Sequence, residues 1–94
     1  MIQSILTLQI TREVSGGYIA RLNDAIAEPG AYRSIEEAIL IEAAAVPEDF
    51  AHFMEVRYYG FSSGTELIDA LPAKASGITD RLMGLVAESH RLGN

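Results

Sequence analysis

Leu6-Thr7-Leu8-Gln9-Ile10-Thr11, then Ser15-Gly16-Gly17-Tyr18-Ile19-Ala20-Arg21-Leu22, then Ser34-Ile35-Glu36-Glu37-Ala38-Ile39: these three pieces of residues 5–46 decide the fold. In the first, apolar and polar side chains alternate with a period of two, as they do when one face of a strand is buried. Gly16 and Gly17 accept positive φ, and residues 18–22 resume a strand-like run, so the first two pieces read as a hairpin that ends at Asn23-Asp24. Glu28-Pro29-Gly30 is turn chemistry, and a short third strand or a loop is expected between it and Tyr32. Ser34 with Glu37 three residues later is a capping box, in which the serine accepts from the N3 amide and the glutamate reaches back to the N-cap amide. The helix it opens should stop before Pro47.

On a helical wheel, Ile35, Ala38, Ile39, Ala43 and Val46 fall on one side of this helix, yet Leu40, Ile41 and Ala44 cover much of the other. One sheet can bury only one of those sides. A homodimer is the arrangement that best covers Leu40, Ile41 and Ala44. Glu42 falls within the first stripe, where a carboxylate is costly, so the helix is expected to turn until Glu42 lies at the stripe's edge and reaches out.

Residues 50–59 alternate again, with Phe50, His52, Met54, Val56 and Tyr58 on one side and Phe53, Glu55, Arg57 and Tyr59 on the other. A long or central strand is expected. Gly60-Phe61-Ser62-Ser63-Gly64 breaks the pattern, Thr65 is placed to cap a short helix that Pro72 ends, and a last helix is expected from Ser76 or Gly77 to Gly93. The fold class is therefore α+β: one domain over residues 1–94, a small antiparallel sheet of three to four strands and two main helices, in ββ(β)αβα order.

The chain has 94 residues, of which 49% are hydrophobic, with no cysteine. Disulfides, zinc–thiolate sites and cysteine nucleophiles are excluded together. Met1-Ile2-Gln3-Ser4-Ile5-Leu6 has no basic flank of a secretory signal, and no run approaches the ~20 apolar residues of a membrane span, so a cytoplasmic protein without membrane contact is expected. Thirteen acidic against seven basic residues leave a formal charge of −6, which works against nucleic acid as a partner. Six of the seven basic residues are arginine, the side chain suited to bidentate or stacked contacts.

The inventory for catalysis is poor. His52 and His90 are far apart in sequence and neither has a metal-binding partner three or four residues away. His52 reads as a half-buried strand residue and His90 as a neighbour of a helix C-terminus. No enzyme activity, cofactor or metal is expected. Ser62, Ser63, Gly64 and Thr65 form the best candidate binding loop, since small residues and hydroxyls before a helix present amides to an anion, though the lysine of a P-loop is missing. Phe53, Arg57 and Tyr59 share a strand face suited to stacking on bases or, more simply, to covering a helix or a second subunit. The candidate interface is thus Leu40, Ile41, Ala44, Phe53, Arg57 and Tyr59.

Gly16-Gly17-Tyr18-Ile19-Ala20-Arg21-Leu22 followed by Ser34-Ile35-Glu36-Glu37-Ala38-Ile39 resembles the amino-terminal half of HicB-like antitoxins. The resemblance implies a partly degraded double-stranded-RNA-binding-like fold, oligomers, neutralisation of a small ribonuclease toxin and, in complete members, operator binding through an added carboxy-terminal domain. A fainter likeness, through Met54-Glu55-Val56-Arg57-Tyr58, residues 65–71 and Gly77-Ile78-Thr79-Asp80-Arg81-Leu82, is to ribbon-helix-helix repressors, which read the major groove with a paired strand. The expected function is that of a small non-enzymatic interaction or regulatory module of bacterial type, a divergent antitoxin-like protein in its most specific form. The alternatives are a ribbon-helix-helix-like repressor and a small-ligand-binding domain, the latter requiring a deep pocket near Ser62, Ser63 and Thr65 with Glu42 or His52 at it.

Overall fold

Alternation in residues 6–11 becomes strand β1 (Ile5–Arg12), which buries Leu6, Leu8 and Ile10 on one face. The computed structural model describes residues 5–23, 29–47 and 49–92. β1 turns back into β2 (Tyr18–Leu22) with Arg12 opposite Tyr18. The turn is closed by the Glu13 amide donating to the Gly17 carbonyl at 2.8 Å and the Gly16 amide donating to the Glu13 carbonyl at 3.0 Å. Gly16 has φ +110°, a conformation that side chains rarely adopt. The short third strand forms as β3 (Gly30–Tyr32), antiparallel to β2; the turn residues expected just before it, Asp24 and Glu28 included, lie outside the described residues.

Helix α1 (Ile35–Ala45) starts where the capping box predicts. The Glu37 amide donates to Ser34 Oγ at 3.0 Å, but Glu37 Oε1 accepts from the amide of Arg33 at 2.7 Å rather than from that of Ser34, so the reciprocal bond is made one residue earlier. Ile35, Ala38, Ile39 and Ala43 are buried, spaced three and four apart as one helix face requires. After the crossover through α1, strand β4 (Phe53–Tyr58) returns parallel to β1, with Leu6 opposite Met54, Leu8 opposite Val56 and Ile10 opposite Tyr58.

The C-terminal half departs from expectation in three ways. First, β4 begins at Phe53, because Phe50 sits in a turn, its amide donating to the Pro47 carbonyl at 3.0 Å, and His52 is exposed. Second, Phe61–Leu67 is a fifth strand, β5, paired antiparallel with β4. Tyr59 and Gly60, both with positive φ at 53° and 80°, make the two-residue hairpin loop whose twist suits such a pair. A register shift opposite residues 55–57, with Gly64 at φ +88°, bulges the strand and breaks the period that sequence reading relies on. Third, a 3₁₀ turn (Ile68–Ala70) leads into one long helix, α2 (Leu71–Leu92). Pro72 opens this helix instead of ending one, since a first-turn residue has no intrahelical use for its amide. The helix end expected at Gly93 lies outside the described residues.

The fold is α+β with two main helices, as the sequence predicts, but the sheet is five-stranded and mixed, in the order β3-β2-β1-β4-β5, instead of antiparallel with three to four strands. Both helices lie on one side of it. Their buried residues, including Ile39, Leu71, Ala75, Ile78 and Leu82, close a single core over Leu6, Leu8, Ile10, Ala20, Met54, Val56 and Tyr58. Among the described residues, no buried side-chain nitrogen or oxygen lacks a hydrogen-bond partner, and no helix is long and apolar enough to cross a membrane.

Candidate functional site

Because side chains alternate across a strand, burial of Leu6, Leu8, Ile10, Met54, Val56 and Tyr58 sends their neighbours to the other face of the sheet, which no helix covers among the described residues. The strand registers arrange those neighbours in rows. Leu67, Phe53 and Ile5 stand side by side across β5, β4 and β1. Ile5 is 50% exposed and Leu67 52% exposed, so this row is an apolar strip open to solvent. The next row is Thr65, Glu55 and Thr7, and the one after it Ser62, Arg57, Gln9 and Arg21.

Glu55 and Arg57 lie two residues apart on β4 and join in an ion pair at 3.1 Å. Ser62 Oγ donates to the same carboxylate, and Arg57 Nη2 donates to the Gly60 carbonyl at 3.1 Å. The guanidinium is thereby held flat against the hairpin. Its strand is paired on both sides, by β1 and β5, not free to form a two-stranded ribbon with another chain, and residues 65–67 of the expected repressor helix are strand. Among the described residues, segments 54–58 and 65–71 thus do not form the free strand and the helix of the ribbon-helix-helix likeness.

The six candidate interface residues divide between two surfaces. Leu40 is 37% exposed, Ile41 49% exposed and Ala44 exposed, all on the outer side of α1. Phe53 and Arg57 belong to the opposite, open face of the sheet, and Tyr59 stands at the hairpin turn with its ring against that of Tyr58, centroids 4.6 Å apart. Ser62, Ser63, Gly64 and Thr65 do not form a loop before a helix: they are the middle of β5, with Ser63 buried and Ser62 tied to Glu55. An anion site at a helix N-terminus is not formed there.

A cleft of about 590 Å³ lies between the end of α1 and the 3₁₀ turn, lined by Ala44, Val46, Leu67, Asp49, His52 and Asp69 among others. Its lining includes Ala44, from the outer side of α1, and Leu67, from the open row of the sheet. A smaller hollow of about 360 Å³ borders Ser63, Glu66, Lys74 and Arg81, and neither Glu42 nor His52 is among the residues that line it. Among the described residues no three His, Cys, Asp or Glu side chains converge as metal ligands.

Glu42 does not simply reach out to solvent: it is paired within the fold. Half-buried, it accepts a hydrogen bond from the hydroxyl of Tyr32 on β3. Burial, then this bond, then the charges of Glu42 and Glu37 push the Tyr32 hydroxyl up to about 12. Gly30 makes the arrangement feasible, for a Cβ there would lie 2.5 Å from the Tyr32 hydroxyl oxygen. Burial also raises Tyr58, with Tyr18 and Tyr59 adding to the effect.

Sequence reasoning missed Ile5, Leu67 and Phe50 as surface apolar residues. Ile5 was accessible by parity with Thr7 and Gln9, whereas Leu67 required knowing that β5 is a strand. No family model, curated protein or solved structure matches the chain.

Proposed function

We propose that this protein is a non-enzymatic interaction module that assembles with itself and engages a second protein. The observation that carries the reading is the sheet with helices on one side only. The described helices cover one face of the central β1–β4 pair and leave its other face open. Here the uncovered face carries the Leu67-Phe53-Ile5 row, and the outer side of α1 adds Leu40, Ile41 and Ala44. Apolar surface of this kind marks contact sites. The most specific form of the proposal is an antitoxin-like regulator, supported by the partial resemblance to HicB-like proteins; the formal charge of −6 favours a protein over a nucleic acid as its partner. Sedimentation velocity at micromolar concentration is expected to show a species heavier than the 10.2 kDa chain. A 10.2 kDa species alone would remove self-assembly from the proposal.

A further inference from the structure

We infer that the open face of the sheet is self-complementary and packs on the same face of a second copy, the strands of the two sheets running antiparallel about a two-fold axis that crosses β4 at Val56. The inference deepens the self-assembly reading above and rests on it. Its basis is the order of outward groups along β4, Phe53, Glu55 and Arg57, with the two charges on either side of Val56. Read backwards about Val56, the pair Glu55 and Arg57 is again a pair of charges, with their signs exchanged. An isologous contact places each surface on its own inverse. With the strands antiparallel, Glu55 of each copy meets Arg57 of the other, and Thr7 meets Gln9 in the neighbouring strand.

The opposite arrangement, with the axis along β4, sets Glu55 on Glu55 and Arg57 on Arg57, and like charges in a contact are strongly disfavoured. The charge pattern therefore selects one orientation. Glu55 and Arg57 are already joined within the chain at 3.1 Å and remain 24% and 36% exposed, so the pair is ordered and still open to a partner. Two such pairs brought together make a ring of alternating charges in which each carboxylate has two guanidinium neighbours. Five strands at about 4.8 Å spacing and about 20 Å of strand length give a face of roughly 500 Å² in projection. That is at the small end of specific interfaces, so association in the micromolar range is expected.

Sedimentation equilibrium of the wild type, Glu55→Arg, Arg57→Glu and the double exchange tests this, with circular dichroism confirming that each variant is folded. Each single exchange sets like charges against each other twice and should weaken the dimer by about tenfold or more, while the double exchange restores it to within about threefold. A dimer that forms equally well in all four proteins would overturn this geometry yet leave self-assembly standing, through another surface such as Leu40, Ile41 and Ala44. A wild type that stays monomeric would remove both.

Discussion

Replacing Gly77 and Gly84 by alanine should stabilise the protein, by an amount that the structure allows to be worked out. Both lie inside α2, where glycine costs about 1 kcal/mol relative to alanine because its backbone loses the most freedom on folding. A Cβ at either position would meet nothing within 4 Å, so no steric penalty offsets the gain. The two sites are seven residues apart, about 10 Å along the helix axis, and should act independently. The double variant is then more stable by about 2 kcal/mol, which for a chain of 94 residues corresponds to a rise in Tm of about 8–16 °C. Urea unfolding followed by far-ultraviolet circular dichroism, at a concentration low enough to avoid association, should give higher midpoints with an unchanged slope. A loss of stability in either single variant would refute the reasoning, since it would mean that another backbone closely approaches this exposed side of α2.

Other perturbations address the remaining elements. Tyr32→Phe removes the hydrogen bond to Glu42 and should cost about 1 kcal/mol at neutral pH. Because the folded-state value of Tyr32 is raised to about 12 above an unfolded value of 10.0, this advantage is present in full below pH 10 and fades as the pH rises towards 12; a wild-type advantage that holds steady across that interval in pH-resolved urea melts would contradict the assignment. Ser34→Ala removes the N-cap acceptor of α1 and should lower stability by about 1 kcal/mol in the same assay. Ile39→Ala leaves a cavity beneath α1 and should cost about 2–5 kcal/mol, whereas Ile41→Ala, on the outer side of the helix, should change stability by no more than about 0.5 kcal/mol. Equal effects would show that α1 is rotated from the orientation described.

What was legible in the sequence was what short-range periodicity encodes. Leu6, Leu8 and Ile10 declare β1, and Ser34 with Glu37 fixes the start of α1 to the residue. The excess of apolar surface on α1 was equally visible, because Leu40, Ile41 and Ala44 cannot share a face with Ile35 and Ile39. Three things were not legible. Phe61-Ser62-Ser63-Gly64-Thr65 is poor in apolar side chains and contains a bulge, so β5 shows no clean period, and its strand character follows from the Tyr59-Gly60 turn and pairing with β4. Pro72 fits equally well just past the end of one helix and in the first turn of the next, so the local sequence does not say which it marks. The parallel pairing of β1 with β4 joins residues far apart in the chain, and nothing local specifies it. Since the open face is defined by that pairing, Ile5, Phe53 and Leu67 become one strip only in three dimensions.

The most direct test of the claim that the uncovered sheet face is a working surface is a dilution series followed by ¹H–¹⁵N NMR on the wild-type protein. Resonances of Ile5, Thr7, Gln9, Phe53, Glu55, Arg57 and Leu67 should move with concentration while those of Gly77 and Gly84 stay fixed. Spectra that do not change on dilution, or changes confined to residues away from this face, would contradict the claim.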